Sequence, residues 1–228
     1  MKAIKFLKSK LGYGVGAIGL DLSYGMFYSY LSKYLTDVLH LSPNFLLILT
    51  PIARLWDGIN DPMMGTIIDG ANLKWGKFKP WILGGMIGTG ILTVLMFHNF
   101  EMSETAHIVL LGVTYLLWGM AYTTNDISYW SMMPAISKDQ KVREKVGTVS
   151  RICANVGMYI VMVAWQPVTS ALGDTPAVWF WCAVVVAVIF VLGLLFPLLG
   201  GVLYLISGGK GPKKYLRKAM EAQQQRSL

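Results

Sequence analysis

A chain of 228 residues with 54% hydrophobic and 14% charged residues is too apolar for an ordinary soluble domain, where about a quarter of residues are charged. Its formal charge is still +8, from 20 Lys and Arg against 12 Asp and Glu. Disorder, a collagen repeat and a disulfide scaffold are excluded by high hydrophobicity, aperiodic Gly and only two Cys. A nucleic-acid-binding surface is excluded because the apolar runs leave no room for a solvated basic face. An integral membrane protein remains, and the question becomes where its charges sit.

A bilayer-spanning helix needs about 20 mostly apolar residues. Breaks at Gly, Pro and charge clusters predict six helices, near 11–39, 45–69, 81–100, 106–133, 145–170 and 177–206. The expected fold is an all-α membrane protein, with 1–206 as a six-helix bundle and 207–228 as a basic tail or the start of a linker. The segment after Lys2, Lys5, Lys8 and Lys10 is too long and too polar for a cleavable signal. Those lysines, then Lys74, Lys77 and Lys79, then Lys138, Lys141, Arg143 and Lys145, then Lys210 to Arg226, alternate with the helices onto one side. They make up 17 of the 20 basic residues, while the opposite joints carry Glu101, Glu104 and Asp174. The positive-inside rule then makes both termini cytoplasmic. The basic tail reads as a headgroup anchor, with recruitment of a partner as the alternative. Cys153 and Cys182 fall inside spans and read as packing residues. His40, His98 and His107 cluster near the outer face without metal-ligand spacing.

Several charges lie inside the spans. Asp21 sits near the middle of the first helix, and the second carries Arg54, Asp57, Asn60 and Asp61. Asp126 is in the fourth helix and Arg151 in the fifth, while Lys33 and Asp37 are close enough to the outer end of the first to snorkel. A charge at membrane depth costs at least about 2.5–3.5 kcal/mol, so such residues usually line a polar pathway. Structural ion pairs are the alternative, with Arg54 and Asp57 spaced for one and Arg151 available for another. Four carboxylates against two guanidinium groups still leave two unpaired. These must be protonated, hydrated, or matched by a bound cation or a donor-rich substrate.

Spacing sharpens this. Asp57 and Asp61 are i,i+4 and project from one face of the second helix, with Asn60 on the same stripe. Thr123 and Asp126 are i,i+3 on the fourth. Two carboxylates, an amide and a hydroxyl suit a hard monovalent cation, or a proton shared between carboxylates. Tyr122, Asp126 and Trp130 form an i,i+4 row of the kind that holds sugars, with a carboxylate for hydroxyl groups and an aromatic face for the ring. Plain packing is the commoner use of such an aromatic. Asp21-Leu22-Ser23-Tyr24 is echoed by Asp126-Ile127-Ser128-Tyr129, as a three-plus-three inverted repeat would allow. Gly12, Gly14, Gly16, Gly19 and Gly25 in the first helix, and Gly84, Gly85, Gly88 and Gly90 in the third, permit close helix approach.

The run from Arg54 through Trp56, Asp57, Asn60, Asp61, Pro62 and Met63 to Gly65 resembles the second-helix signature of the glycoside–pentoside–hexuronide:cation symporters. These are the melibiose permease family of the major facilitator superfamily. The string Lys74-Trp75-Gly76-Lys77-Phe78-Lys79-Pro80-Trp81 resembles that family's loop between helices two and three. With Asp69 it also resembles the superfamily's gating loop, in which acidic and basic residues lock the cytoplasmic side. Tyr13-Gly14 with Asp21, Trp118-Gly119-Met120 through Asp126 and Trp130, and Arg151 fall where the family's other motifs lie.

The resemblance implies half of a major-facilitator fold and cation-coupled sugar or glycoside symport by alternating access. It implies Na⁺ or H⁺ at Asp57 and Asp61, with Asn60 and Thr123 nearby, and sugar at Asp21, Asp126, Trp130, Tyr122 and Arg151. Asp69, Lys74, Lys77 and Lys79 would form the gating loop. The melibiose permease type has Lys before the first-helix Asp, where this chain has Leu20. Family members have about twelve helices in two halves, so the expected partners are the bilayer, the sugar, the cation and a second six-helix half. That half could lie in the same gene, in a separate chain or in a homodimer. No other cofactor, no nucleic acid and no enzymatic activity are expected, and the expected location is a bacterial inner membrane. The competing reading is a non-transporting sensor or truncated partner subunit that keeps the fold.

Overall fold

The computed structural model describes residues 2–71, 77–133 and 139–206. Among them are six α-helices and no strand: α1 (Lys2–Lys33), α2 (Asn44–Gly70), α3 (Lys79–Met96), α4 (Glu104–Ser131), α5 (Gln140–Ala171) and α6 (Pro176–Ile206). A π-helical turn, Tyr34–Val38, extends α1. Lys74, Lys138 and the basic tail from 207 onward lie outside the described residues.

The six predicted helices are all present, and their ends differ for local reasons. Residues 2–10 continue α1 because lysine is a good helix former and the stretch holds no Gly or Pro. α5 begins five residues before the predicted start. The Asp139 carboxylate caps it by accepting from Lys141 N at 2.9 Å, and Gln140 bonds Glu144 one turn on. The predicted third helix continues to 100, but α3 stops at Met96. The Phe97 carbonyl is taken by the Tyr34 hydroxyl at 2.8 Å rather than by a further turn. α5 ends in a Schellman cap: Gly173 has φ 102°, and Asp174 N donates to the Thr169 carbonyl at 2.8 Å.

α3, α4, α5 and α6 are long and apolar enough to cross a membrane. α1 and α2 match them in length but not in hydropathy. α2 carries Arg54, Asp57 and Asp61 within eight residues, and α1 is diluted by Asp21 and by many Gly and Tyr.

In lipid, helices associate by close packing rather than by the hydrophobic effect, so small residues decide where they touch. α1 packs on α5 and α6, α4 packs on α2 and α3, and α3 packs on α6. A Cβ on Gly157 would overlap the Ile18 carbonyl, so α1 and α5 cross backbone to backbone there. A Cβ on Gly85 would lie 2.8 Å from the Ala121 carbonyl oxygen, which sets the α3–α4 approach. Gly14, Gly19 and Gly25 likewise sit against α5 or α6, so packing accounts for them, whereas Gly84 faces open space. The core then fills with aromatics. Phe27 stacks on Trp118 at 3.7 Å and 5°, and Tyr34 stacks on Trp179 at 5.5 Å. Each such pair contributes about 0.5–1.5 kcal/mol beyond its buried area.

Candidate functional site

The face of α2 turned to α4 carries the buried residues Ala53, Asn60, Met64 and Ile68, spaced at seven, four and four. Asp57 belongs to that row. It lies against Gly119 of α4, where a Cβ would stand 3.6 Å from Asp57 Oδ1, at ordinary contact distance. The other oxygen, Oδ2, meets Arg54 at 3.5 Å and accepts from the Tyr28 hydroxyl of α1 at 3.4 Å. The Arg54 guanidinium also lies 4.7 Å from the centre of the Tyr28 ring. One turn further, Thr123 Oγ1 donates to Asp61 Oδ1 at 3.0 Å. Asn60 is fully buried, and neither of its amide atoms has a hydrogen-bond partner. Asp57, Asp61 and Thr123 are therefore brought together, while Asn60 shares their helix without touching either carboxylate.

On α4, Trp130 Nε1 donates to Asp126 Oδ1 at 2.9 Å across one turn. The Arg151 guanidinium of α5 lies 5.2 Å from the Trp130 ring centre. Tyr122 stacks on Trp118 at 5.0 Å and 9°, and packs on Tyr24 at 5.3 Å. Thr123, bonded to Asp61, stands one turn from Asp126 on α4, so Asp61 and the α4 row adjoin in one acidic region.

The charge balance read from the sequence needs one correction. The Arg54–Asp57 pair is present, but Arg151 is not within ion-pair distance of any described carboxylate and rests on an aromatic ring instead. Among the described residues, Asp21, Asp61 and Asp126 have no basic partner within ion-pair distance. Lys33 does not simply snorkel either. It donates to Gln166 of α5 at 2.6 Å, and Gln166 bonds Ser170 in turn.

Of the loop residues, Asp69 and Lys77 meet at 2.8 Å, both well exposed. Lys79 opens α3, and Lys74 with its neighbours Trp75 and Gly76 lies outside the described residues. Cys153 and Cys182 are free thiols in α5 and α6. His98 packs on Phe100 and Phe180, and His107 is buried in α4.

Sequence reasoning missed Tyr28 and Tyr24. A signal was present: Asp21, Tyr24 and Tyr28 are spaced three and seven, the period of one helix face. Tyr115 of α4 has a weaker signal, because it touches this group only through the fold.

The family described as MFS/sugar transport protein matches residues 12–202. A lactose permease of Lactobacillus delbrueckii subsp. bulgaricus is 30% identical over 82% of this chain and 32% of its own length. The inner membrane symporter YicJ of Escherichia coli is 28% identical over 73% of the chain and 36% of its own length. The putative glycoside/cation symporter YagG of the same organism is 30% identical over 73% and 36%. This chain thus spans about a third of the length of these relatives. By the family match and by its α2 and α2–α3 strings, the chain belongs to the MFS/sugar transport protein family, is melibiose permease-like, and is a multi-pass inner-membrane protein.

Proposed function

We propose that the chain is a sugar- and cation-binding six-helix unit of a symporter that moves a sugar or glycoside with Na⁺ or H⁺ by alternating access. One observation carries this reading. Asp57 and Asp61, with Thr123 bonded to Asp61 and one turn from Asp126, adjoin the Asp126–Trp130 pair in an acidic region short of basic partners. An acidic region within membrane-embedded helices is costly unless a cation or a hydroxyl-rich solute completes it. In this assignment Asp57, Asp61, Asn60 and Thr123 bind the cation. Asp21, Asp126, Trp130, Tyr122 and Arg151 receive the sugar, and Asp69 with Lys74, Lys77 and Lys79 forms the cytoplasmic gate. The printed names of the relatives, lactose permease and glycoside/cation symporter, support the substrate class.

All six helices span the bilayer in this reading, with both termini cytoplasmic, 1–206 as the bundle and 207–228 as tail or linker. The packing scheme supports a three-plus-three repeat, because exchanging α1 with α4, α2 with α5 and α3 with α6 maps it onto itself. The pairing that matches Asp21 to Asp126 also matches Gly14 to Gly119 and Ile18 to Thr123. Their contacts, Cys153 and Gly157 on α5, then match Asp57 and Asp61 on α2. The exposed charges of Arg54, Asp61 and Arg151 call for cover by a second six-helix half, in the same gene, in a separate chain or as a homodimer.

Proteoliposomes holding the chain, alone and with a second half, test this by flux of radiolabelled lactose under an inward Na⁺ or proton gradient. Gradient-driven uptake in either preparation is expected. Lactose binding without flux in both would favour a sensor or partner subunit.

A further inference from the structure

Tyr28 stands between Asp57 and the aromatic side chains that lead through Tyr24 to Tyr122. Its hydroxyl reaches Asp57 Oδ2 at 3.4 Å. Arg54 lies 4.7 Å from the centre of the Tyr28 ring, and the Tyr24 ring 4.3 Å from it. Tyr24 in turn packs on Tyr122, which is one turn from Asp126.

Asp57 Oδ2 is thus shared between a guanidinium and a phenol, while Oδ1 faces Gly119. A cation entering beside Asp57 places a second positive charge next to Arg54, and the two repel. Arg54 can yield, because its side chain is 57% exposed and the Tyr28 ring offers it a cation–π seat. The phenol is then the one neutral donor left on Asp57 among the described residues. A ring that follows the carboxylate presses on Tyr24, 4.3 Å away, and through it on Tyr122, at 5.3 Å from Tyr24.

We propose that Tyr28 is a positioning residue that ties occupancy of Asp57 to the face formed by Tyr122, Asp126 and Trp130. The inference rests on the cation-and-sugar reading above. It assigns Tyr28 no contact with the cation, only the orientation of the carboxylate and the transmission of that orientation. Two sites coupled in this way shift each other's affinity by the same factor. Removing the phenol should therefore change the factor rather than either affinity alone.

The test uses the full chain in lipid nanodiscs with lactose as the probe sugar. Its affinity is measured with the coupling cation (Na⁺, or protons at acidic pH) and without it, in the wild type and in Tyr28→Phe. The wild-type ratio is expected in the range of about 5–150-fold that couplings of this kind span. In Tyr28→Phe the ratio should fall to within about twofold of one, with cation-free lactose affinity within about twofold of the wild type. A side chain with a merely structural role would lower both affinities and spare the ratio. An unchanged ratio in Tyr28→Phe overturns the proposal and leaves the symporter reading standing. A wild-type ratio of one removes that reading, and the proposal with it.

Discussion

Thr123 on α4 donates its hydroxyl to Asp61 on α2 at 3.0 Å, one turn along both helices from the place where Asp57 lies against Gly119. α2 packs chiefly on α4, so the seam that holds α2 in the bundle contains two of its three carboxylates, Asp57 and Asp61. An ordinary helix seam would exclude them. Here Asp57 lies against a glycine and a hydroxyl bonds Asp61, and the Thr123 oxygen keeps a lone pair free for a cation.

Thr123→Val keeps the β-branched shape and removes that oxygen. We expect Na⁺ affinity to fall about three- to tenfold, equivalent to about 1 kcal/mol, with Thr123→Ser close to wild type. Sodium titration by isothermal calorimetry reads this directly. Equal affinity in wild type and Thr123→Val would remove Thr123 from the cation site.

Trp130→Phe retains an aromatic face for Arg151 and deletes the indole donor to Asp126. A hydrogen bond to a charged group is worth about 1.5–3 kcal/mol. Sugar affinity should drop about tenfold, while Na⁺ affinity measured without sugar stays within about twofold. Lactose binding by equilibrium dialysis separates the two effects.

Glycines offer a stability test with an internal control. Gly157→Ala forces a methyl group into the Ile18 carbonyl, and overpacking of this kind costs about 1–3 kcal/mol. For a chain of this size that lowers the melting midpoint by about 2–4 °C per kcal/mol. Gly58→Ala meets nothing within 4 Å and should gain about 0.5–1 kcal/mol from helix propensity alone. Thermal unfolding in detergent should place the two variants on opposite sides of the wild type.

Helix number and approximate span were legible in the sequence, because the polar joints are short and the apolar runs long. The misjudged ends came from two properties that hydropathy does not encode. Charged residues such as Lys141 and Glu144 extend a capped helix as readily as they end a span. A carbonyl such as that of Phe97 can be claimed by a distant hydroxyl. Within the candidate site, the i,i+4 spacing of Asp57 and Asp61 and of Asp126 and Trp130 was visible, and those contacts lie within a helix or one turn of it. Arg151 on Trp130 and Tyr28 on Asp57 join residues far apart in sequence, and only the packing of α1, α4 and α5 brings them together.

The exposed Asp69–Lys77 pair is a poor source of stability, since such pairs contribute about 0–1 kcal/mol. Lys77→Ala should leave the melting midpoint unchanged within error. If the pair gates the cytoplasmic side, the same variant should alter lactose flux in proteoliposomes. A lowered midpoint with normal flux would make the pair structural.

The central claim is that Asp57 and Asp61 bind a cation whose presence strengthens sugar binding. Its most direct test is lactose affinity with and without Na⁺, and at acidic and neutral pH, in the wild type and in Asp57→Cys and Asp61→Cys. The wild type should bind lactose more tightly when the coupling cation is present, and both variants should lose that difference. Lactose binding indifferent to Na⁺, to pH and to both substitutions would contradict it.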